Sequence, residues 1–141
     1  MSVPQRRDSA RPVRIAGYAA LFDIADIAKD TIVKGAFTRT LADRRDPIPL
    51  YWQHRPDQQI GVVERVEEDE RGLRVIARID NPQARGTSEL LARRTNGLSF
   101  GYRARGFRRH PAGRVLEDID LFEVSLVTHP LQPNARVHLI S

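Results

Sequence analysis

Near the end of the chain runs an uninterrupted β-type segment, RVLEDIDLFEVSLVTHP, from Arg114 to Pro130. It is dense in the branched and aromatic side chains that favour strands, and it stops at a proline that cannot continue a ladder. A strand of that length needs partners along its edges, so the rest of the chain must supply a sheet. The segment also carries an anomaly. Glu123 stands among Leu121, Phe122, Val124 and Leu126, and an acid inside an apolar strand is seldom buried without a partner. Alternation predicts that Glu123 shares a face with Leu121 and Ser125 and points into the structure.

The partners of this strand are legible upstream. VRIAGYAALFD (Val13 to Asp23) reads as a strand broken by Gly17, and IPLYWQH (Ile48 to His54) as a short apolar strand with a polar tip. IGVVERVEED and GLRVIARID read as two strands joined at Glu70-Arg71-Gly72, where the glycine supplies the turn. In the second of them Leu73, Val75 and Ala77 point one way while Arg74, Ile76 and Arg78 point the other. LSFGYRARGFRR alternates like a strand as well. Two segments read as helices. GAFTRTLADRR pairs Phe37 with Leu41 at i, i+4, and NPQARGTSELLARRTNG has Pro82 near its start and Gly97 as a C-cap. The expected architecture is a β-rich α+β domain, a small antiparallel β-barrel with flanking helices, over residues 12–141. Residues 1–11 are polar, basic and aperiodic, which predicts a disordered arm.

Composition narrows the function classes. A chain of 141 residues has room for one core and not two. It has no apolar run of the roughly 18–20 residues that a membrane span needs, and its basic N-terminus lacks the apolar stretch of a secretory signal. Membrane partnership is therefore not expected, and a cytoplasmic location is. With 0 cysteines, disulfides, thiolate catalysis and cysteine-ligated metals are excluded; no cofactor and no metal is expected. The formal net charge of +5 is carried mainly by arginine, clustered at Arg6, Arg7, Arg11 and Arg14 and again from Arg103 to Arg114. Such clusters suit a polyanion. With no aromatic platform and no helix-turn-helix signature beside them, they read as solvated strand faces, and nucleic acid is set aside as a partner.

Between the second helical segment and the next strand lies TNGLSFGYRA, whose core Gly97-Leu98-Ser99-Phe100-Gly101 matches the G-x-S-x-G pattern of a nucleophile elbow. An elbow requires a strand before the serine and a helix after it; here the order is reversed, and the chain is too short for the doubly wound sheet that carries elbows. The residues leave two readings of Ser99, a structural serine or a strand-borne nucleophile. In a strand, Leu98, Phe100 and Tyr102 share one face and Ser99, Gly101 and Arg103 the other, with Gly97 and Gly101 giving clearance for a substrate backbone. A nucleophilic serine needs a base, and the base needs an orienting group. His54, ending an apolar strand beside Tyr51 and Trp52, and His129, before Pro130, are the candidate bases; His110 and His138 read as surface residues. Glu123 is the candidate orienting carboxylate.

Taken as an ordered set, GYAALFD, GAF, YWQH, GLSFGY and FEVSLVTHP resemble the prohead maturation proteases of tailed phages, a serine protease family related in fold to the herpesvirus assemblins. The resemblance runs from about Gly17 to Ala135. It implies a herpesvirus-protease-like fold, Ser99 as nucleophile, His54 as general base and Glu123 as third member, with His129 as the alternative because assemblins use a second histidine. The order His54, Ser99, Glu123 matches none of the three familiar serine-hydrolase orders, as an independent scaffold would require. For the oxyanion hole the resemblance points to the segment after Pro130, including Asn134 and Arg136. It further implies a serine endopeptidase inside the assembling procapsid of a phage, prophage or gene transfer agent. Its substrate would be the scaffolding region of the major capsid protein, and the protease itself; homodimerisation is raised because assemblins depend on it. The competing reading is a catalytically inactive capsid-assembly or scaffold-binding module of the same fold. A basic nucleic-acid-binding barrel is a third, which accounts for the arginines but leaves GLSFGY and Glu123 unexplained.

Overall fold

The computed structural model describes residues 13–80 and 95–139. Their elements follow in the order β1 (Val13–Leu21), β2 (Asp30–Ile32), α1 (Thr38–Asp43), β3 (Pro49–Trp52), β4 (Arg55–Glu68), β5 (Gly72–Ile79), β6 (Gly97–His110), β7 (Gly113–Val127) and β8 (Val137–Leu139). The arm expected over 1–11 and the helix expected after Pro82 lie outside the described residues. No helix among the described residues is long and apolar enough to cross a membrane.

The strand that dominated the sequence, β7, takes partners on both edges. One edge pairs with β6 in a long antiparallel hairpin; the other pairs in parallel with β2 near its start and with β3 near its end. From β3 the sheet continues antiparallel through β4, β5 and β1 to β8. There it turns back on β6: Leu98 N–H donates to the Ala135 carbonyl and Val137 N–H to the Asn96 carbonyl, each at 2.8 Å, around a Gly97–Arg136 bridge. The sheet is thus a curled, barrel-like layer, mostly antiparallel, with two short parallel pairings that the sequence did not announce. β1 is not broken at Gly17, which pairs with Val75 on one side and Val137 on the other.

Period-two alternation places the core inside the curl. On β5 Leu73, Val75, Ala77 and Ile79 are buried, and Arg74, Ile76 and Arg78 are half-buried on the outer face. Full burial of each large apolar side chain stabilises by about 1.5–3 kcal/mol. Phe37, fully buried, meets Phe100 edge-on at 5.4 Å between centroids. Phe100 in turn lies 4.7 Å from the Tyr102 ring. The six-residue helix α1 is too short to hold by propensity, and no side chain within it caps its start. The Glu68 carboxylate of β4 does so from a distance, accepting the Gly35 and Phe37 amides at 2.9 Å each. Leu121 N–H donates to the Thr40 hydroxyl at 3.0 Å, tying the helix to β7 as well.

Arg103, Arg105, Arg108 and Arg114 of the β6–β7 hairpin are paired with acids in place, and Arg109 lies over the Phe107 ring. Arg39 from α1 reaches Asp118 at 3.0 Å and Asp120 at 2.6 Å, while Arg103 and Arg105 converge on Asp120 from β6. Arg39 foremost, with Arg103 and Arg105, holds the Asp120 carboxyl down to about 2. Arg108 pairs with Glu117, and Arg114 grips Asp30 with two bonds of 2.8 Å.

Asp30 also accepts the Tyr102 hydroxyl at 3.0 Å. Burial first, and then this hydrogen bond, push the Tyr102 phenol up to about 12. A raised folded-state value favours the neutral phenol. The stability it contributes is complete below about pH 10, the unfolded tyrosine value, and is lost as pH rises through the folded one. Tyr102→Phe is therefore expected to flatten the loss of stability in that alkaline window, measured as urea midpoints from about pH 9 to about pH 12. Parallel curves for the two proteins would contradict it.

Candidate active site

β3 and β4 are joined by a two-residue turn, Gln53-His54, closed by the Trp52–Arg55 pair. Both turn residues are left-handed, with φ of 53° and 59°. That is the twist a tight hairpin requires, normally supplied by Asn-Gly, and for residues with a Cβ it costs about 1–2 kcal/mol each. Groups of β7 and of Thr128 just beyond it hold the turn in this state. Gln53 N–H donates to the Leu126 carbonyl at 3.0 Å, and the Gln53 amide exchanges two hydrogen bonds with Thr128 at 2.5 and 3.2 Å. His54 N–H donates to the Ser125 hydroxyl at 3.1 Å.

The His54 ring is thereby set over β7. Its Nδ1 lies 2.6 Å from Oε2 of Glu123. A carboxylate oxygen accepts, so Nδ1 is the donor of this bond, and in the neutral imidazole that tautomer leaves Nε2 as the acceptor. The second carboxylate oxygen, Oε1, accepts the Ser125 hydroxyl at 2.7 Å. Glu123 is 8% exposed and Ser125 fully buried, whereas the His54 side chain is 41% exposed, so the cluster opens to solvent on the histidine side.

Glu123 reaches this position through a bulge. Gly101 pairs with Glu123 and Tyr102 with Leu121, leaving Phe122 without a cross-strand partner. The extra residue shifts the alternation. Leu121, Val124 and Leu126 all belong to the core, and Glu123 and Ser125 face the other way. The sequence expectation that Glu123 shares a face with Leu121 is corrected by this bulge; the pairing with Ser125 on one face stands. Phe122, 51% exposed, absorbs the irregularity at the surface.

Ser99 pairs with Ser125 across the β6–β7 ladder, between the core pairs Leu98–Leu126 and Phe100–Val124. Side chains of directly opposed residues stand about 4.5–5.5 Å apart at Cβ, so Ser99 belongs to the face that carries Ser125, Glu123 and the His54 turn. It is 3% exposed. The two flanking glycines do not leave the vacant clearance read from the sequence. A Cβ at Gly101 would lie 2.3 Å from Oε2 of Glu123, and one at Gly97 would lie 2.7 Å from Cδ of Pro130. Protein fills both spaces; at Gly101 the occupant is the carboxylate itself.

Of the remaining candidates, His129 is exposed and the Nδ1 position of His54 is held by Glu123. His110 and His138 are exposed, as the sequence suggests. Arg136 donates to the Pro133 carbonyl at 2.7 Å and to the Asn96 side chain at 2.9 Å, bracing the segment after Pro130 against the start of β6. The sequence reading passed over Ser125, Gln53 and Thr128. Ser125 had a signal, its i+2 spacing from Glu123 in FEVSLV; the Gln53–Thr128 pair, far apart in sequence, had none.

The curled sheet belongs to a class of fold, one seen in two herpesvirus proteases and in a phage capsid assembly protease. The fold is shared with the KSHV protease in complex with a hexapeptide phosphonate inhibitor (TM-score 0.66, 11% identity, 93% of this chain and 66% of that one). It is shared likewise with the varicella-zoster virus protease (TM-score 0.65, 18% identity, 92% and 64%). A third match is the bacteriophage T4 capsid assembly protease (TM-score 0.63, 14% identity, 81% and 80%). Within that class the chain belongs to the Caudovirus prohead serine protease family, whose pattern it matches over residues 2–141. It is 28% identical to the prohead protease of Enterobacteria phage HK97 over 129 residues, 86% of this chain and 57% of that protein. A capsid polyprotein of Pseudomonas phage PAJU2 is 28% identical over 102 residues, covering 64% of this chain and 15% of that one. The chain therefore spans little more than half of the HK97 protein and a small part of the polyprotein.

The crowding at Gly101 gives a direct check. Gly101→Ala inserts a methyl where Oε2 of Glu123 now lies, and overpacking of this kind costs about 1–3 kcal/mol. Chemical denaturation should show a loss in that range, and a crystal structure of the variant should show Glu123 displaced from His54. A variant of unchanged stability with the His54–Glu123 bond intact would refute the packing assigned to this glycine.

Proposed function

We propose that the chain is a serine endopeptidase of procapsid maturation, with Ser99 as nucleophile, His54 as general base and Glu123 as the group that orients the base. The observation that carries this reading is the 2.6 Å bond between Nδ1 of His54 and Glu123, made one cross-strand pair away from Ser99 on the same face of β6 and β7. A serine hydroxyl is a weak nucleophile until a neighbouring base takes its proton, and a neutral imidazole presents a free Nε2 only when its other nitrogen is held as a donor. Glu123 supplies that hold.

In this reading the chemistry runs through these three groups. As Oγ of Ser99 attacks a peptide carbonyl, its proton passes to Nε2 of His54, and the imidazolium is stabilised by the Glu123 carboxylate. The tetrahedral oxyanion needs N–H donors, for which the segment after Pro130, with Asn134 and Arg136, is the candidate. The proton on Nε2 then goes to the leaving amine as the C–N bond breaks, leaving an acyl group on Ser99. Water, deprotonated by the same nitrogen, releases it.

Family membership and the names of its relatives support a protease acting in capsid assembly; the substrate we propose for it is the scaffolding region of the major capsid protein, with cleavage of the protease's own chain as a second event. The site of action is the interior of the assembling procapsid. Co-expression with the major capsid protein of the same genome tests this. Ser99→Ala and His54→Ala are expected to abolish processing, and Glu123→Gln, which keeps the shape but turns the wrong tautomer of His54 toward the serine, to slow it by about 10⁴-fold. Undiminished processing by the Ser99→Ala protein would sink the reading and leave a capsid-assembly module in its place.

A further inference from the structure

We infer that Ser125 is a positioning residue of the proposed catalytic apparatus, acting on both of its partners through one hydroxyl. This rests on the functional reading above and adds a residue to it. The Ser125 hydroxyl donates its proton to Oε1 of Glu123 at 2.7 Å and accepts the backbone N–H of His54 at 3.1 Å. One atom therefore fixes the carboxylate and the histidine relative to each other. With Oε1 held by Ser125, the carboxylate plane is set and Oε2 is left for Nδ1 of His54. With its N–H held, His54 is kept in a left-handed conformation, at φ 59°, that it would not adopt unaided.

The surroundings leave this hydroxyl little other purpose. Ser125 is fully buried in a strand whose neighbours Val124 and Leu126 pack in the core, a place where alanine would serve packing as well. A buried hydroxyl is retained at a cost unless its hydrogen bonds are made, and both of those it makes run to the apparatus. Directly across the ladder stands Ser99, so the two serines of this face divide the work. Ser99 is the proposed nucleophile, and Ser125 holds the base and the acid in register.

The test uses a fluorophosphonate probe, which labels an activated serine without knowledge of the cleavage sequence. The second-order labelling rate of the full chain is measured, with Ser99→Ala as the blank. Ser125→Ala is expected to lower the rate about 10- to 100-fold, the equivalent of one hydrogen bond to a charged group, while the fold persists by thermal unfolding. In a His54→Ala background the same substitution is expected to change the residual rate by less than about threefold, because its effect passes through the histidine. The downfield proton resonance of the His54 Nδ1–H is expected to move or broaden in Ser125→Ala. Should the alanine variant fail to fold, Ser125→Cys keeps the volume, weakens the donor and carries the same expectations. A wild-type rate in the folded variant, an unmoved Nδ1–H resonance, or an equal loss in the His54→Ala background would overturn the inference while leaving the proposed triad standing. No labelling of the wild-type chain at Ser99 would overturn the triad and the inference together.

Discussion

The Glu123 carboxylate lies almost wholly out of water, with one oxygen on the Ser125 hydroxyl and the other on the His54 ring. A carboxylate so placed is costly to bury unless its lone pairs are met by donors, and much of the local architecture answers that demand. Gly101 leaves the volume the carboxylate occupies. The bulge at Phe122 turns Glu123 out of the core without interrupting the apolar series Leu121, Val124 and Leu126. The parallel pairing of β3 with the end of β7 delivers the histidine turn to the carboxylate. Remove the partners, and the strand would carry an uncompensated charge through its apolar stretch.

The turn that holds His54 stores strain of its own. Two consecutive left-handed residues with side chains persist because they are over-determined. The Gln53 backbone and side chain bind the end of β7, and the His54 amide binds Ser125. Strain of this kind concentrates where a side chain must be aimed, and here it aims an imidazole across two strands. The curl of the sheet completes the arrangement by bringing the segment after Pro130 back to β6, so that the start of the Ser99 strand is braced by backbone bonds to Ala135 and Val137.

Much of this was legible in the sequence, and what was missed shares a cause. Alternation in Leu73, Val75 and Ala77 predicted the buried face of β5, and the apolar density from Arg114 to Pro130 predicted the longest strand. Phe37 and Leu41 marked the helix, although its start is capped by Glu68, thirty-one residues away from Phe37. The face of Glu123 was misjudged because alternation assumes an unbroken register, and a bulge is a property of the pairing of two strands. The glycines beside Ser99 were read as open space for the same reason: a strand considered singly does not reveal that its neighbour's side chain fills the gap. Ser125 went unweighed because a serine in an apolar strand gains a role only through the groups it meets.

The sequence by itself determined the strand-rich class, the inward face of β5 and of the start of β6, and the set of polar residues that could do chemistry, because these follow from period, side-chain volume and the absence of cysteine. Tertiary structure decided which of those residues meet. The His54–Glu123 bond spans sixty-nine positions of chain and the His54–Ser125 bond seventy-one, and both depend on a parallel strand pairing and a bulge that no local pattern encodes. Local preferences choose conformations one residue at a time, whereas a hydrogen bond between distant side chains exists only once register, twist and curl have fixed both ends together.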